Sequence, residues 1–477
     1  MLSVSPRPDW DVPGLLRTLE RYAYGCLEQT TSRALPLLYV EEVARLWQAD
    51  PGPATAETLD RAIGHIVELQ RSDGSFGVWS DSGDTVPWLD AYATDFLIRA
   101  KEHGKNVPGF AITSAVGWLH DYVRQEHTEI GDLPAAAYAH YVLARARSDD
   151  LPGLRYFADT QMARLPTQLA KAQVAAALAL YGDAARAAAA YDAALMSPPP
   201  RPVAIRFVDY GSELRDSAAV LSFAAANPGN QARLTAVMDR IAERFSRAGR
   251  TSTQEQAWLL MAAEAAAKAG GGSMTVATEG AAPEARTQPL YLRRPLGPGG
   301  PPMAITNRGE APAWRAVSIT GVPRAELPAD NKGYAVTRSI YRPDGGDADL
   351  SKARQTDLFV VVIKGTRTDA SQSAQALVVD LLPAGFEIET ATVSKGRSTT
   401  DYSWLPKLTE ATYTEQRDDR FIAALDLKDS TGDFALAYVV RAVTPGEFIY
   451  PAVVAEDMYE PETSGRTAMG KLTVSAR

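Results

Sequence analysis

Tyr22-Ala23-Tyr24-Gly25-Cys26-Leu27-Glu28-Gln29 holds the most informative chemistry in the chain. Cys26 is the single cysteine among 477 residues, so it has no disulfide partner within the chain. Gln29 follows three residues later, which brings its side-chain carbonyl within reach of the sulfur. If the sulfur displaces ammonia from that amide, the product is an internal thioester, an electrophile stored in the fold. Gly25 offers a tight turn before the ring. Thr30, Thr31 and Ser32 supply hydroxyls that can cap a following helix. The dipole of such a helix favours negative charge on the carbonyl oxygen in a tetrahedral intermediate. Glu28 lies inside the ring sequence and is given no catalytic role. Tyr22 and Tyr24, two residues apart, can present their rings on one side of an extended segment. Two other readings of Cys26 stand beside the thioester: a buried small hydrophobe, or a nucleophile paired with a distant histidine.

Outward from this stretch the pattern is helical. Leu35, Leu38, Val43, Leu46 and Trp47 line one side of a helix. Apolar residues recur at helical spacing over 55–70, 88–103, 109–125, 134–147, 166–181, 213–226, 230–248 and 253–268. Breaks such as Asp50-Pro51-Gly52 and Asn227-Pro228-Gly229 separate them, and about a dozen antiparallel helices are expected. Ala184–Ala194 is a run of good helix former. Gln70-Arg71-Ser72-Asp73-Gly74-Ser75-Phe76-Gly77-Val78-Trp79 resembles the turn between helix pairs of α/α-toroid proteins. Ala91–Leu97 and Ser252–Trp258 resemble inner-ring helix starts of the same architecture.

After Gly270-Gly271-Gly272 the sequence changes to strands and turns. Short apolar runs at Met274–Ala277, Leu290–Leu292 and Ala316–Thr320 read as a small β-sandwich that takes further strands from upstream. Leu358–Ile363, Ala376–Leu381, Phe421–Leu427, Phe434–Arg441 and Glu447–Val454 read as strands of a second sandwich.

Composition narrows the class. Hydrophobic content of 45% and charged content of 22% are those of a globular protein. The length implies roughly two to four domains. A net charge of −9 with no basic run argues against nucleic acid as a partner. Met1–Trp10 lacks the apolar core of a signal peptide, and no window approaches the roughly 18 consecutive apolar residues of a membrane span. Taken literally, the chain would stay in the cytoplasm.

The histidines are His65, His103, His120, His127 and His140. His140 lies on an apolar helix, where a structural role is expected. No metal site is expected, because there is neither a His-x-x-x-His nor a cysteine pair. No phosphate loop is present, and no cofactor is implied. Asp81-Ser82-Gly83-Asp84 lacks the Asp-x-Asp-Asp run of protonating terpene cyclases.

The Tyr-x-Tyr-Gly-Cys-Leu-Glu-Gln-Thr-Thr-Ser stretch, with helices around it and strands behind it, resembles the thioester region of the α-2-macroglobulin and complement family in its bacterial form. The resemblance covers nearly all of the chain. It implies a multidomain α + β fold: an α/α-toroid thioester domain followed by CUB-like and macroglobulin-like β-sandwiches. The expected boundaries are 1–7 for a remnant CUB-like strand, of which Leu2–Ser5 is the core, 8–270 for the toroid, 271–330 for a CUB-like segment and 331–477 for the last sandwich. Glu456-Asp457-Met458-Tyr459-Glu460-Pro461 resembles the family's locking loop, so Met458 and Tyr459 would pack with Tyr22 and Tyr24 and keep water from the thioester.

The implied function is covalent protease trapping without turnover. After cleavage of a bait segment upstream, a lysine of the protease attacks the Gln29 carbonyl and Cys26 leaves as a thiolate. Some family members use a histidine as a relay that favours hydroxyl acceptors. His127 and His140 lie in the relevant stretch, but no histidine is assigned, so an amine acceptor is expected. The implied partners are proteases and upstream macroglobulin-like domains, with the protein acting as a monomer. The implied location is the periplasm, lipid-anchored to the inner membrane. Alternatives are a thioester adhesin or opsonin-like binder, which would not need the Met458–Tyr459 lock, and a toroid enzyme with paired acidic residues facing its cavity.

Overall fold

A computed structural model describes residues 1–21, 25–41, 55–148, 151–197, 201–202, 205, 207–269, 272–295, 297, 302–321, 325–368, 374–390, 402–427 and 432–477. The chain divides into two compact units: 1–249 with 253–320, and 250–252 with 321–477.

Six helices of the first unit form a closed ring. They are α2 (Leu27–Leu37), α4 (Pro87–Glu102), α6 (Leu133–Arg145), α8 (Gln168–Leu180), α10 (Glu213–Ala225) and α12 (Thr253–Ala269). Each packs on the next, and α12 packs back on α2. Outside them lie α1 (Val12–Arg21), α3 (Thr55–Glu68), α5 (Gly109–Val123), α7 (Leu151–Gln161), α9 (Ala184–Leu195) and α11 (Gln231–Arg247). Burial separates the two sets. In α12 the run Thr253–Ala266 is buried on every side, whereas α3 buries only Leu59, Ala62, Ile63 and Ile66. A helix buried all round needs small or apolar residues on every face, which explains the alanine-rich inner helices. An outer helix needs only one apolar stripe. This is the α/α toroid expected from the turn at 70–79, and both stretches proposed as inner-ring starts lie in inner helices.

The ring interior is aromatic. Trp88 lies 5.2 Å from both Tyr92 and Tyr138, and Trp258 lies 6.2 Å from Tyr92 and 5.6 Å from Phe223. Two of its buried charged groups are paired, as a dry interior favours. Asp95 accepts from Arg99 Nε and from Tyr138 Oη, each at 2.9 Å. Arg215 donates to Asp209 at 2.8 Å and to Gln254 at 2.7 Å, and lies 4.9 Å over Trp88.

The strand Leu2–Ser5 is the middle of a three-stranded sheet, antiparallel to Leu290–Leu292 and Trp314–Val317. Met274–Thr278 pairs with Glu284–Arg286 and Ile305–Asn307. Val4, Met274 and Val276 make the small core here. The third apolar run therefore forms its strand slightly earlier than Ala316–Thr320.

The second unit is a sandwich. Tyr334–Tyr341, Leu358–Arg367, Asp433–Ala442 and Phe386–Thr390 form one sheet. Tyr413–Arg417, Arg420–Leu427, Ala374–Leu381, Val453–Asp457, Ser464–Arg466 and Asp330–Lys332 form the other. Between them Asp380 accepts from Arg338 at 2.6 Å and from Tyr438 at 2.8 Å. The expected strand Glu447–Val454 is two strands, Gly446–Tyr450 and Val453–Asp457, in different sheets. Pro451 lies at the break, where a residue without an N–H cannot continue a ladder.

The link between α3 and α4 folds back on itself through bridges Gln70–Phe76 and Gly77–Thr85. Asp90 holds it by accepting from the Phe76 N–H at 2.6 Å and the Thr85 hydroxyl at 2.5 Å. Gly74 has φ +95°, and a Cβ there would lie 2.2 Å from the Ser114 carbonyl oxygen. Gly74→Ala is therefore expected to destabilise the helical unit by more than about 1 kcal/mol, since left-handed strain adds to a backbone clash. Urea unfolding followed by helix circular dichroism measures it.

Candidate functional site

Cys26 is the N-cap of α2, with φ −70° and ψ 164°. Its carbonyl accepts from the Thr30 N–H at 2.9 Å. Its sulfur accepts from the Gln29 N–H at 3.4 Å. The sulfur thus takes the position usually held by a capping hydroxyl oxygen. The cap is not supplied by Thr30, Thr31 or Ser32, which lie inside the helix. The Thr31 hydroxyl donates back to the Leu27 carbonyl at 2.7 Å, and Ser32 donates to Glu28.

Cys26 is fully buried and Gln29 is 1% exposed. One helical turn therefore brings the sulfur to the Gln29 backbone N–H at the positive end of the helix dipole, with both residues away from water. The N–H that caps the thiol can also hold a departing thiolate.

The peptide groups flanking Cys26 are pinned from one neighbouring segment. The Leu27 N–H donates to the Val78 carbonyl at 2.8 Å. On the other side the Gly25 carbonyl lies 2.6 Å from His65 Nε2. Gly25 is not in the left-handed region, and among the described residues a Cβ there would meet His65 Nε2 alone, at 3.6 Å. Its expected role as a tight-turn glycine is corrected accordingly: its carbonyl is what the structure uses.

Glu28 points into the ring. It accepts from Ser32 Oγ at 2.6 Å and from Thr253 Oγ1 at 2.9 and 3.0 Å. Ser32 Oγ also lies 3.1 Å from Tyr92 Oη. Thr253 begins the last inner helix, so Glu28 ties the last helix of the ring to the first. Burial raises the Glu28 carboxyl from 4.5 to about 7, against the pull of Ser32, Thr253 and Arg215.

The remaining expected residues fall elsewhere. Tyr22 and Tyr24, like Val43, Leu46 and Trp47, lie outside the described residues. Met458 and Tyr459 follow the strand Val453–Asp457 in the second unit. Asp457 Oδ1 accepts from the N–H groups of Tyr459 and Glu460 at 3.0 and 3.1 Å, and the Met458 N–H donates to the Gln375 carbonyl at 2.9 Å. Met458 is buried and Tyr459 half-buried.

Of the two histidines singled out by sequence, His140 is buried against Phe157 at 4.8 Å. His127 Nε2 lies 2.9 Å from the Tyr122 carbonyl, with its ring against Tyr122. The histidine beside Cys26 is His65, which no local pattern marks. Only the antiparallel packing of α3 on α2 brings its last turn to the start of α2.

Residues 8–130 match the A-macroglobulin TED domain, and residues 333–462 match the bacterial α-2-macroglobulin MG10 domain. The α-2-macroglobulin of Escherichia coli strain K12 is 32% identical over 97% of this chain and 29% of its own length. The chain thus spans less than a third of that curated relative. The crystal structure of native E. coli α-2-macroglobulin, from domain MG7 to the C-terminus, is similar at TM-score 0.84 and 28% identity, over 99% of this chain and 76% of that one. The trypsin-activated E. coli protein is similar at TM-score 0.50 and 27% identity, over 99% and 33%.

A pH dependence follows from Glu28. A folded-state value raised from 4.5 to about 7 means stability that is full below the ordinary value and lost as pH rises through about 7. Asp90, raised by burial to about 7, acts in the same sense. The urea midpoint of the helical unit should fall between about pH 5 and about pH 8, with Glu28 contributing about 3 kcal/mol. Glu28→Gln, which stays neutral, should flatten that slope; an unchanged slope would contradict the assignment.

Proposed function

We propose that this chain, which corresponds to the C-terminal portion of a bacterial α-2-macroglobulin, carries an internal Cys26–Gln29 thioester and serves in covalent capture of proteases. The observation that carries this reading is the buried first turn of α2, where the Cys26 sulfur caps the Gln29 N–H at 3.4 Å.

The chemistry runs in two steps. In formation, the Cys26 S–H adds to the Gln29 side-chain amide. A C–S bond forms, the C–N bond breaks, and ammonia leaves with the thiol proton. In capture, a primary amine attacks the thioester carbonyl. A new amide forms, the C–S bond breaks, and the amine proton passes to the sulfur. The α2 N-terminus favours both the oxyanion and the departing thiolate. The Gln29 side chain ends as an amide of the captured amine, so the event is single-use and the protein is not an enzyme of turnover.

The natural acceptor in this reading is a lysine of an attacking protease, in keeping with the likeness to the trypsin-activated E. coli protein. The resemblance to the locking loop supports Tyr22, Tyr24, Met458 and Tyr459 as the shield and the last sandwich as its carrier. It also supports a periplasmic, lipid-anchored setting and action as a monomer.

A fluorescent primary amine tests the reading. It is expected to label the Gln29 peptide and release one thiol per label, while glycerol at the same concentration adds nothing. Cys26→Ser should abolish labelling. Labelling that survives Cys26→Ser would overturn the mechanism, and transfer to glycerol would favour the opsonin-like alternative.

A further inference from the structure

His65 is forty residues from Gly25 in sequence and touches it, the residue just before Cys26. A carbonyl oxygen has no hydrogen to give, so in the 2.6 Å contact with Gly25 the donor is His65 Nε2–H. The other ring nitrogen, Nδ1, lies 3.6 Å from Glu68 Oε2, one turn along the same helix. The imidazole thus lies between a carboxylate on its own helix and the peptide that leads into Cys26, and its hydrogen bond is to that peptide.

That peptide matters because its plane contains both the Gly25 carbonyl and the Cys26 N–H. Fixing the carbonyl fixes that plane, so the backbone rotations of Cys26 are limited once the following plane is held too. The Val78 carbonyl fixes the following plane through Leu27 N–H. Cys26 is therefore clamped on both sides by one continuous stretch, the last turn of α3 and the Gly-rich link after it. A short ring spanning one helical turn tolerates little drift, because ring closure depends on the sulfur being held near the amide carbon.

We propose that His65 is a positioning residue for the thioester: its Nε2–H holds the Gly25 carbonyl and so sets the direction from which the Cys26 sulfur meets Gln29. This rests on the thioester reading given above. His65 makes no bond to the reacting atoms. It governs how readily the ring closes and how long it survives.

The test compares the full chain with His65→Leu and His65→Gln. Leucine fills the space without donating, whereas the glutamine amide can place an N–H near the position of Nε2. Each protein is checked for fold by circular dichroism and urea midpoint. The fraction carrying the ammonia deficit and the rate of thiol release in buffer are then measured by mass and thiol titration.

His65→Leu should shift closure or survival of the ring by about fivefold, the equivalent of one net hydrogen bond. His65→Gln should restore most of it. Equal deficit and equal release rates in all three would overturn the proposal while leaving the thioester intact. A folded His65→Gln as impaired as His65→Leu would overturn it too, because the hydrogen bond would then not be what counts. A wild-type chain with no deficit and an intact Gln29 amide in its peptide map would sink the thioester reading itself, visible before any variant is compared.

Discussion

Exclusion of water is the constraint around Cys26, which is fully buried, and it is what the proposed thioester would need to survive. Its turn is not placed on a surface loop but made the first turn of an inner helix in a closed helical ring. Inner helices give up their polar faces, so every polar group they retain needs a partner inside the protein. The Asp95–Arg99–Tyr138 and Asp209–Arg215–Gln254 groups meet that need. Asp95 and Asp209 are thereby paired with cations and a tyrosine hydroxyl.

Glu28 shows how closely the motif and the fold are joined. It sits between the two residues of the ring sequence, yet its side chain turns inward to Ser32 and Thr253. It couples the reactive turn to the helix that closes the toroid. The same helix start therefore carries both the sulfur that caps the Gln29 N–H and a structural carboxyl turned into the ring. Asp90 has a comparable role farther from the sulfur, since it shapes the link that supplies Val78 to Leu27.

Much of this is legible in the sequence. The helices over 55–68, 87–102 and 213–225 fall close to where apolar spacing puts them, because 3.6-residue periodicity survives even in buried helices rich in alanine. Leu151–Gln161 is not anticipated by spacing: it buries only Leu154, Phe157 and Ala158, too sparse a stripe to register. The strand pair around Pro451 reads as one strand because apolar runs do not show which sheet they join. The cap falls one residue type away from the expected one because hydroxyl residues are the usual candidates, while here the sulfur itself caps. His65 carries no mark in the sequence because its contact to Gly25 spans forty residues and depends on helix packing, which spacing alone does not encode.

The central claim is that sulfur and amide in this buried turn become one bond. The intact mass of the purified chain, paired with thiol titration under denaturing conditions that preserve the bond, tests it most directly. The account predicts a mass one ammonia below that of the sequence and no titratable thiol, with Cys26→Ser at full mass for its own sequence. A wild-type chain at full sequence mass, with a reactive Cys26 thiol and an intact Gln29 amide in its peptide map, would contradict it.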